Sequence, residues 1–171
     1  MVLNVLGAEE TAHYYIAFAI TSLLFMIPSA LSTSLFVEGS HGEGLKKGTL
    51  KALRAIFLLM IPAAFILYFG GEWLLGLIGK DYAASVLELL RILVISSFFM
   101  AVSSIFMTIK KVQKDVLGLI LLSGLIFGLL IGLGYVFMLA YGVTGIGYAY
   151  VAGYGAGALA VGMMVWREKW V

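Results

Sequence analysis

The amino-acid sequence predicts an all-α integral membrane protein of about five transmembrane helices, and three observations carry that prediction. The first is a run of 51 residues, 116–166, without Asp, Glu, Lys or Arg, in a chain of 171 residues that is 63% apolar. A soluble core helix has no use for so long an uncharged stretch, whereas two bilayer crossings of about 20 residues each and a short turn need roughly that length. The second is a set of further charge-free intervals, 11–37 with 27 residues, 55–71 with 17 and 92–109 with 18. The two shorter ones reach full length when Arg54 and Arg91 snorkel to the headgroups. The third is the placement of cations. Nine of the eleven fall on one side of an alternating five-span chain: Lys46, Lys47, Lys51 and Arg54 after the first span, Lys110, Lys111 and Lys114 after the third, Arg167 and Lys169 after the fifth. Lys80 and Arg91 fall on the other. The positive-inside bias then places the N-terminus outside and the C-terminus in the cytoplasm of a multi-pass cell-membrane protein.

The first span, about 12–36, carries Pro28 at its middle, where the ring removes a backbone hydrogen bond and favours a kink. Thr21, Ser22, Ser29, Ser32, Thr33 and Ser34 surround it. Hydroxyls so dense re-satisfy freed carbonyls or line a wet cavity. Residues 37–50, with Gly39, Gly42, Gly44 and Gly48 among charges, read as a cytoplasmic loop entering a basic first turn. The second span, about 53–69, holds Pro62, a second kink position. Residues 70–82 (GGEWLLGLIGKDY) are too short and too charged to cross, and read as an outer interfacial segment with Trp73, Leu74, Leu77 and Ile78 dipping into the headgroups.

The third span, about 84–109, is about 39 Å long at a rise of about 1.5 Å per residue, so its outer end with Glu88 and Arg91 protrudes from the hydrocarbon. The fourth, about 116–139, carries Gly124, Gly128 and Gly132 at i, i+4 and i+8, a small-residue face that lets another helix approach closely. Residues 141–147 (YGVTGIG) form the outer turn. The fifth span, about 146–165, adds Gly153, Gly155, Gly157 and Gly162 as packing positions; its GYGAG run lacks the strand and acidic residue of a nucleotide loop. Trp166 and Trp170 at the inner boundary and Trp73 at the outer one suit interfacial aromatic belts.

Several function classes are excluded or weakened. There is no cysteine, hence no disulfide, thiolate zinc site or cysteine nucleophile. A net charge of +2 implies no nucleic-acid partner. His13 and His41 fall on opposite sides of the membrane and share no metal, and no cofactor is implied. Glu88 and Asp81 are poor material for hydrolytic chemistry, which makes an enzyme the weakest reading. No carboxylate lies at mid-membrane depth, where a proton- or sodium-coupling group usually sits. Residues 1–10 lack the basic and apolar regions of a signal peptide, and a chain starting outside with no preceding span is expected to be the C-terminal part of something longer.

The order of IPSALSTSLFVE (27–38), a basic loop, IPAA (61–64), LIGKDYAASVLELLRIL (77–93), IKKVQKD (109–115) and GVTGIGYAY (142–150) resembles the C-terminal half of polysaccharide flippases. These belong to the multidrug, oligosaccharidyl-lipid and polysaccharide exporter superfamily. The resemblance implies one lobe of a two-lobe transporter, lacking its first helix and the whole N-terminal lobe. It further implies a lipid-linked saccharide substrate moved across the membrane by alternating access, in a cavity between two repeats. Expected partners are membrane lipids and an N-terminal lobe from the same or an adjacent reading frame. A cation-coupled drug or metabolite exporter lobe, or a noncatalytic assembly subunit packing through its glycine face, are the alternatives.

Candidate site residues carry two readings each. Glu88 and Arg91, three apart on one helix, pair structurally, or Arg91 faces the inter-lobe cavity and binds a carrier phosphate through its fork of donors. Tyr14 and Tyr15 stack on sugar rings or sit in an interfacial belt. Ser29 and Ser32, with Ser96, Ser97, Ser103 and Ser104, line a polar cavity or bond back to their own helix carbonyls.

Overall fold

A computed structural model of the chain describes residues 2–40, 45–78 and 83–167, all in helices apart from the short connections at 113–115 and 142. Residues 41–44, 79–82 and 168–171, which include His41, Lys80, Asp81, Lys169 and Trp170, lie outside the described residues, as do the side chains of Lys46, Ile78, Trp166 and Arg167. The helices are α1 (Val2–Ser40), α2 (Leu45–Ile78), α3 (Ala83–Val112), α4 (Val116–Tyr141) and α5 (Val143–Arg167). Each contains a stretch long and apolar enough to cross a membrane, and they alternate in direction. Lys47, Lys51, Arg54, Lys110, Lys111 and Lys114 gather at one end of the bundle, called here the basic end.

The outer surface is apolar. Leu58, Phe65 and Ile66 of α2 and Leu117, Leu121 and Ile131 of α4 are all more than half exposed, which is stable in lipid and not in water. The protein is a multi-pass, all-helical membrane protein.

α3 is the central element: over half of its spanning window is buried, 56%, against 11% for α4. Its sequence explains this, because small and hydroxylated residues (Ser96, Ser97, Ala101, Ser103) alternate with Leu89, Leu93 and Ile105, so neighbours approach on several faces. Toward the basic end, Leu24, Leu35, Ile56, Met60, Ala101 and Ile105 join α1, α2 and α3. Toward the far end, Ala17, Leu75, Leu89, Leu93, Met138 and Val143 bring all five helices together. A third cluster, Phe106, Leu122, Ile126 and Val161, ties α3 to α4 and α5.

Residues 37–40, expected as the start of a loop, continue α1, and two further details depart from the sequence expectation. Residues 70–78 continue α2 instead of forming a separate interfacial segment. Gly71 is buried beneath Leu87 and Leu90 of α3 and Leu75 is fully buried, so packing against α3 carries the helix on, while Trp73 and Leu77 stay exposed. The outer turn is Gly142 rather than 141–147. Gly142 takes a positive φ of 61°, and a Cβ on Gly145 would collide with the Phe137 carbonyl, so glycine at both positions permits a one-residue reversal. Pro28 and Pro62 lie within α1 and α2, and α1 departs from helical torsions at Gly7 (φ 86°, ψ −178°). Thr11 Oγ1 donates to the Gly7 carbonyl there at 2.6 Å.

Glycines divide sharply between packed and open. A Cβ at Gly153 would meet Leu130 Cγ at 3.0 Å, and one at Gly157 would meet Ile126 Cγ1 at 2.7 Å. Gly124, Gly128 and Gly132 have nothing within 4 Å. The predicted small-residue face of α4 therefore points away from this bundle, and α4 meets α5 through the glycines of α5.

Candidate functional site: a hydroxyl-lined groove on α3

The hydroxyl-bearing residues of the spans have two fates. Most bond back within their own helix: Thr21 to Ala17, Ser29 to Phe25, Thr33 to Ser29, Ser96 to Leu93, Ser97 to Val94 and Thr108 to Ser104, at 2.6–3.0 Å between oxygens. This satisfies the hydroxyl where no water is available. Three serines differ. Ser32 of α1 and Ser104 of α3 hydrogen-bond each other across the interface at 3.0 Å. Ser103, 1% exposed, has a buried Oγ with no hydrogen-bond partner, which is uncommon for a buried polar atom.

These serines lie along one groove of about 430 Å³ toward the basic end, bounded by α1, α3, α4 and α5. Ser29, Ser32, Thr33 and Phe36 line it from α1, and Met100, Ser103, Ser104, Met107, Thr108 and Lys111 from α3. Ile126, Phe127 and Tyr154 complete it. Lys111 is exposed and is the cation among those lining residues, which include no Asp or Glu. Its neighbour Lys110 points elsewhere: it is 4% exposed, pairs with Asp115 Oδ2 at 2.9 Å, and lies 5.4 Å from the Phe106 ring centroid. Asp115 in turn caps α4 by accepting from the Gly118 N–H at 3.0 Å. That backbone donor first, then the Lys110 ammonium, hold its carboxyl below the usual carboxylate range.

Above the groove, toward the far end, an aromatic strip fills the gap between α1 and α5. Tyr14 stacks on Phe18 at 5.5 Å, Phe25 lies parallel to Tyr150 at 6.4 Å, and Tyr150 is 5.9 Å from Tyr154 at the groove wall. Tyr150 is a hydrogen-bond partner of Tyr14. Tyr15 turns outward, 64% exposed.

Of the candidate residues named from sequence, Ser29 and Ser32 therefore line the groove, Tyr14 lies outside it at the far end of the strip that leads to Tyr154, and Glu88 and Arg91 sit near the far end of the bundle, also outside it. The latter two take different partners. Arg91 Nε donates to the Tyr68 carbonyl at 3.3 Å with its guanidinium 5.3 Å from that ring's centroid, while Glu88 accepts from Tyr148 Oη at 3.4 Å. Lys111, Tyr154, Met100 and Met107 were not singled out from sequence. The signal available for Lys111 was its position one turn past Thr108 on the face that carries Ser104.

Among curated proteins the chain is similar to a putative O-antigen transporter of Shigella flexneri, with 28% identity over 120 residues, 67% of this chain and 29% of that protein. The matched stretch is thus less than a third of the relative's length. No family model matches the chain. No solved structure matches it.

Proposed function

We propose that this chain forms part of a transporter for lipid-linked saccharide, a flippase, and that the groove on α3 supplies one wall of its substrate path. The observation that carries this reading is the groove's mixed lining: six serine and threonine hydroxyls and one lysine set among three aromatic rings, two methionines and an isoleucine, in a bundle coated with apolar side chains. Saccharides offer hydroxyls to hydrogen-bond and C–H faces to lie on rings such as Tyr154. An ammonium at the mouth suits the phosphate that joins sugar to lipid carrier. The similarity to a putative O-antigen transporter supports the same substrate class.

A groove on one bundle becomes an enclosed path only with a second wall. In this reading an N-terminal lobe from the same or an adjacent reading frame provides that wall, and the two rock about the shared site. The positive-inside bias puts the basic end, and with it the mouth at Lys111, on the cytoplasmic side. A cation-coupled exporter is less well supported, because the groove lining carries no carboxylate to hold the ion.

The test is export of lipid-linked saccharide in cells carrying the chain together with its N-terminal half. Lys111→Ala is expected to lower export about tenfold at unchanged protein level, the loss of roughly one charge-assisted contact. Lys114→Ala, outside the groove, leaves export intact. Equal export by Lys111→Ala and the unaltered chain rejects the groove as the path. The open glycine face of α4 favours one further reading, an assembly subunit; a stable complex that persists while export is zero would support it.

A further inference from the structure

Near the far end of the bundle, apart from the groove, the reversal from α4 to α5 brings three aromatic rings around a shallow cavity: Phe137, Tyr141 and Tyr148. Tyr141 and Tyr148 have ring centroids 5.6 Å apart at 70°, and Phe137 and Tyr141 are 6.2 Å apart at 76°. Near-perpendicular rings make a corner rather than a flat platform. Tyr141 is 61% and Tyr148 40% exposed. Glu88 of α3 sits at the edge of this corner, exposed, its Oε1 3.4 Å from the Tyr148 hydroxyl that donates to it. The nearest cation in sequence, Arg91, is occupied with Tyr68 of α2.

We propose that this corner binds the ammonium headgroup of an aminophospholipid, phosphatidylethanolamine in chemistry. Aromatic faces carry negative potential and attract a cation within about 6 Å of the ring centroid. Two such rings set at an angle, with a carboxylate hydrogen-bonded to the hydroxyl of one, present negative potential from several sides to a compact cation. The chain itself sets a cation over a single ring at two places, the Arg91 guanidinium over Tyr68 and the Lys110 ammonium over Phe106. A pyranose chair stacks through a broad C–H face and is best served by one open ring face, which a 70° corner does not give. Depth selects a lipid over a soluble amine: Tyr141 is the last residue of one spanning stretch and Val143 the first of the next, so the corner lies at headgroup level. Its shape is held by the one-residue turn at Gly142 and the close approach of Gly145 to the end of α4. An ordinary interfacial tyrosine belt also sits at this depth, but it is indifferent to which headgroup it meets. Headgroup dependence therefore separates the two.

The experiment is lipid retention by the purified full chain in detergent, read by native mass spectrometry, with three lipids of identical acyl chains: phosphatidylethanolamine, its N-acetylated form and phosphatidylglycerol. Phosphatidylethanolamine is expected to be retained about fivefold more than either of the others, in the range of an exposed cation–aromatic contact reinforced by a carboxylate. Tyr141→Leu and Glu88→Gln are each expected to remove most of that preference. Tyr141→Leu keeps apolar bulk at an exposed position, and an unchanged unfolding temperature verifies that it folds. Equal retention of all three lipids by the unaltered chain overturns the proposal without recourse to any variant. So does an undiminished preference in both variants. Displacement by soluble ethanolamine phosphate at matching concentration overturns the assignment to a lipid.

Discussion

Gly157 of α5 lies directly against Ile126 of α4, so close that a Cβ at 157 would stand 2.7 Å from Ile126 Cγ1 and 3.1 Å from the buried Ser103 Oγ. Adding one methyl group there overfills a packed three-helix contact. Gly157→Ala is expected to destabilise the bundle by about 1–3 kcal/mol, seen as a lower unfolding temperature in detergent. Gly128→Ala meets open space and is expected to change stability by less than about 0.5 kcal/mol. Equal effects of the two would contradict the assignment of packed and open glycines.

The Ser32–Ser104 bond joins α1 to α3 beside the groove. Interhelical hydrogen bonds in membranes average about 0.6 kcal/mol by double-mutant cycle. Ser32→Ala and Ser104→Ala should therefore couple by about that amount, each single change already losing most of what the pair loses. Strict additivity in reversible unfolding would show that the bond contributes nothing.

Asp115 provides an acid-sensitive element. Its carboxyl is held low by the Gly118 N–H and the Lys110 ammonium, so the folded state favours the ionised form. That contribution is fully present above the unfolded value, near 3.9, and is lost as pH falls through the depressed folded value. Between about pH 5 and about pH 2 the unaltered chain should lose more thermal stability than Asp115→Asn, which keeps an acceptor for the cap but no charge to titrate. Parallel loss in both would remove Asp115 from the account.

Sidedness is directly measurable because the chain has no native cysteine. Single substitutions Lys114→Cys and Glu9→Cys, probed in intact cells with a membrane-impermeant maleimide, should separate: Glu9→Cys labelled from outside, Lys114→Cys only after permeabilisation. The reverse pattern would invert the orientation expected from the cations.

The number of crossings was legible because burying a charge in hydrocarbon costs several kcal/mol, so the spacing of twenty charged residues partitions the chain. Helix ends were less so. α2 runs through Glu72 to Ile78, past its charge-free stretch, because Leu87 and Leu90 of α3 cover Gly71 there, a contact between residues distant in sequence. The break in helical torsions within α1 lies at Gly7, where a single glycine near the start of the chain carried no signal in the sequence.

The site was less legible than the fold. Serine density in the first span marked a possible polar surface, and Ser29 and Ser32 do line the groove, but Ser96 and Ser97, equally suggestive, bond to their own helix. Spacing also made Glu88 and Arg91 natural partners, three apart on one helix, while Tyr148 and Tyr68 from two other helices draw them apart.

Composition and charge spacing thus determine that this chain is a five-crossing helical membrane protein, because the transfer cost of a charge depends on its position along the chain and not on its neighbours in space. Which glycines are packed, which hydroxyls face a groove and which rings form a corner are decided by tertiary structure. In α4, apolar residues surround the helix, so no sequence period distinguishes the stripe of Leu122, Ile126 and Leu130 that meets its neighbours from the glycine stripe on the other side. Only the placement of α3 and α5 against it makes that distinction.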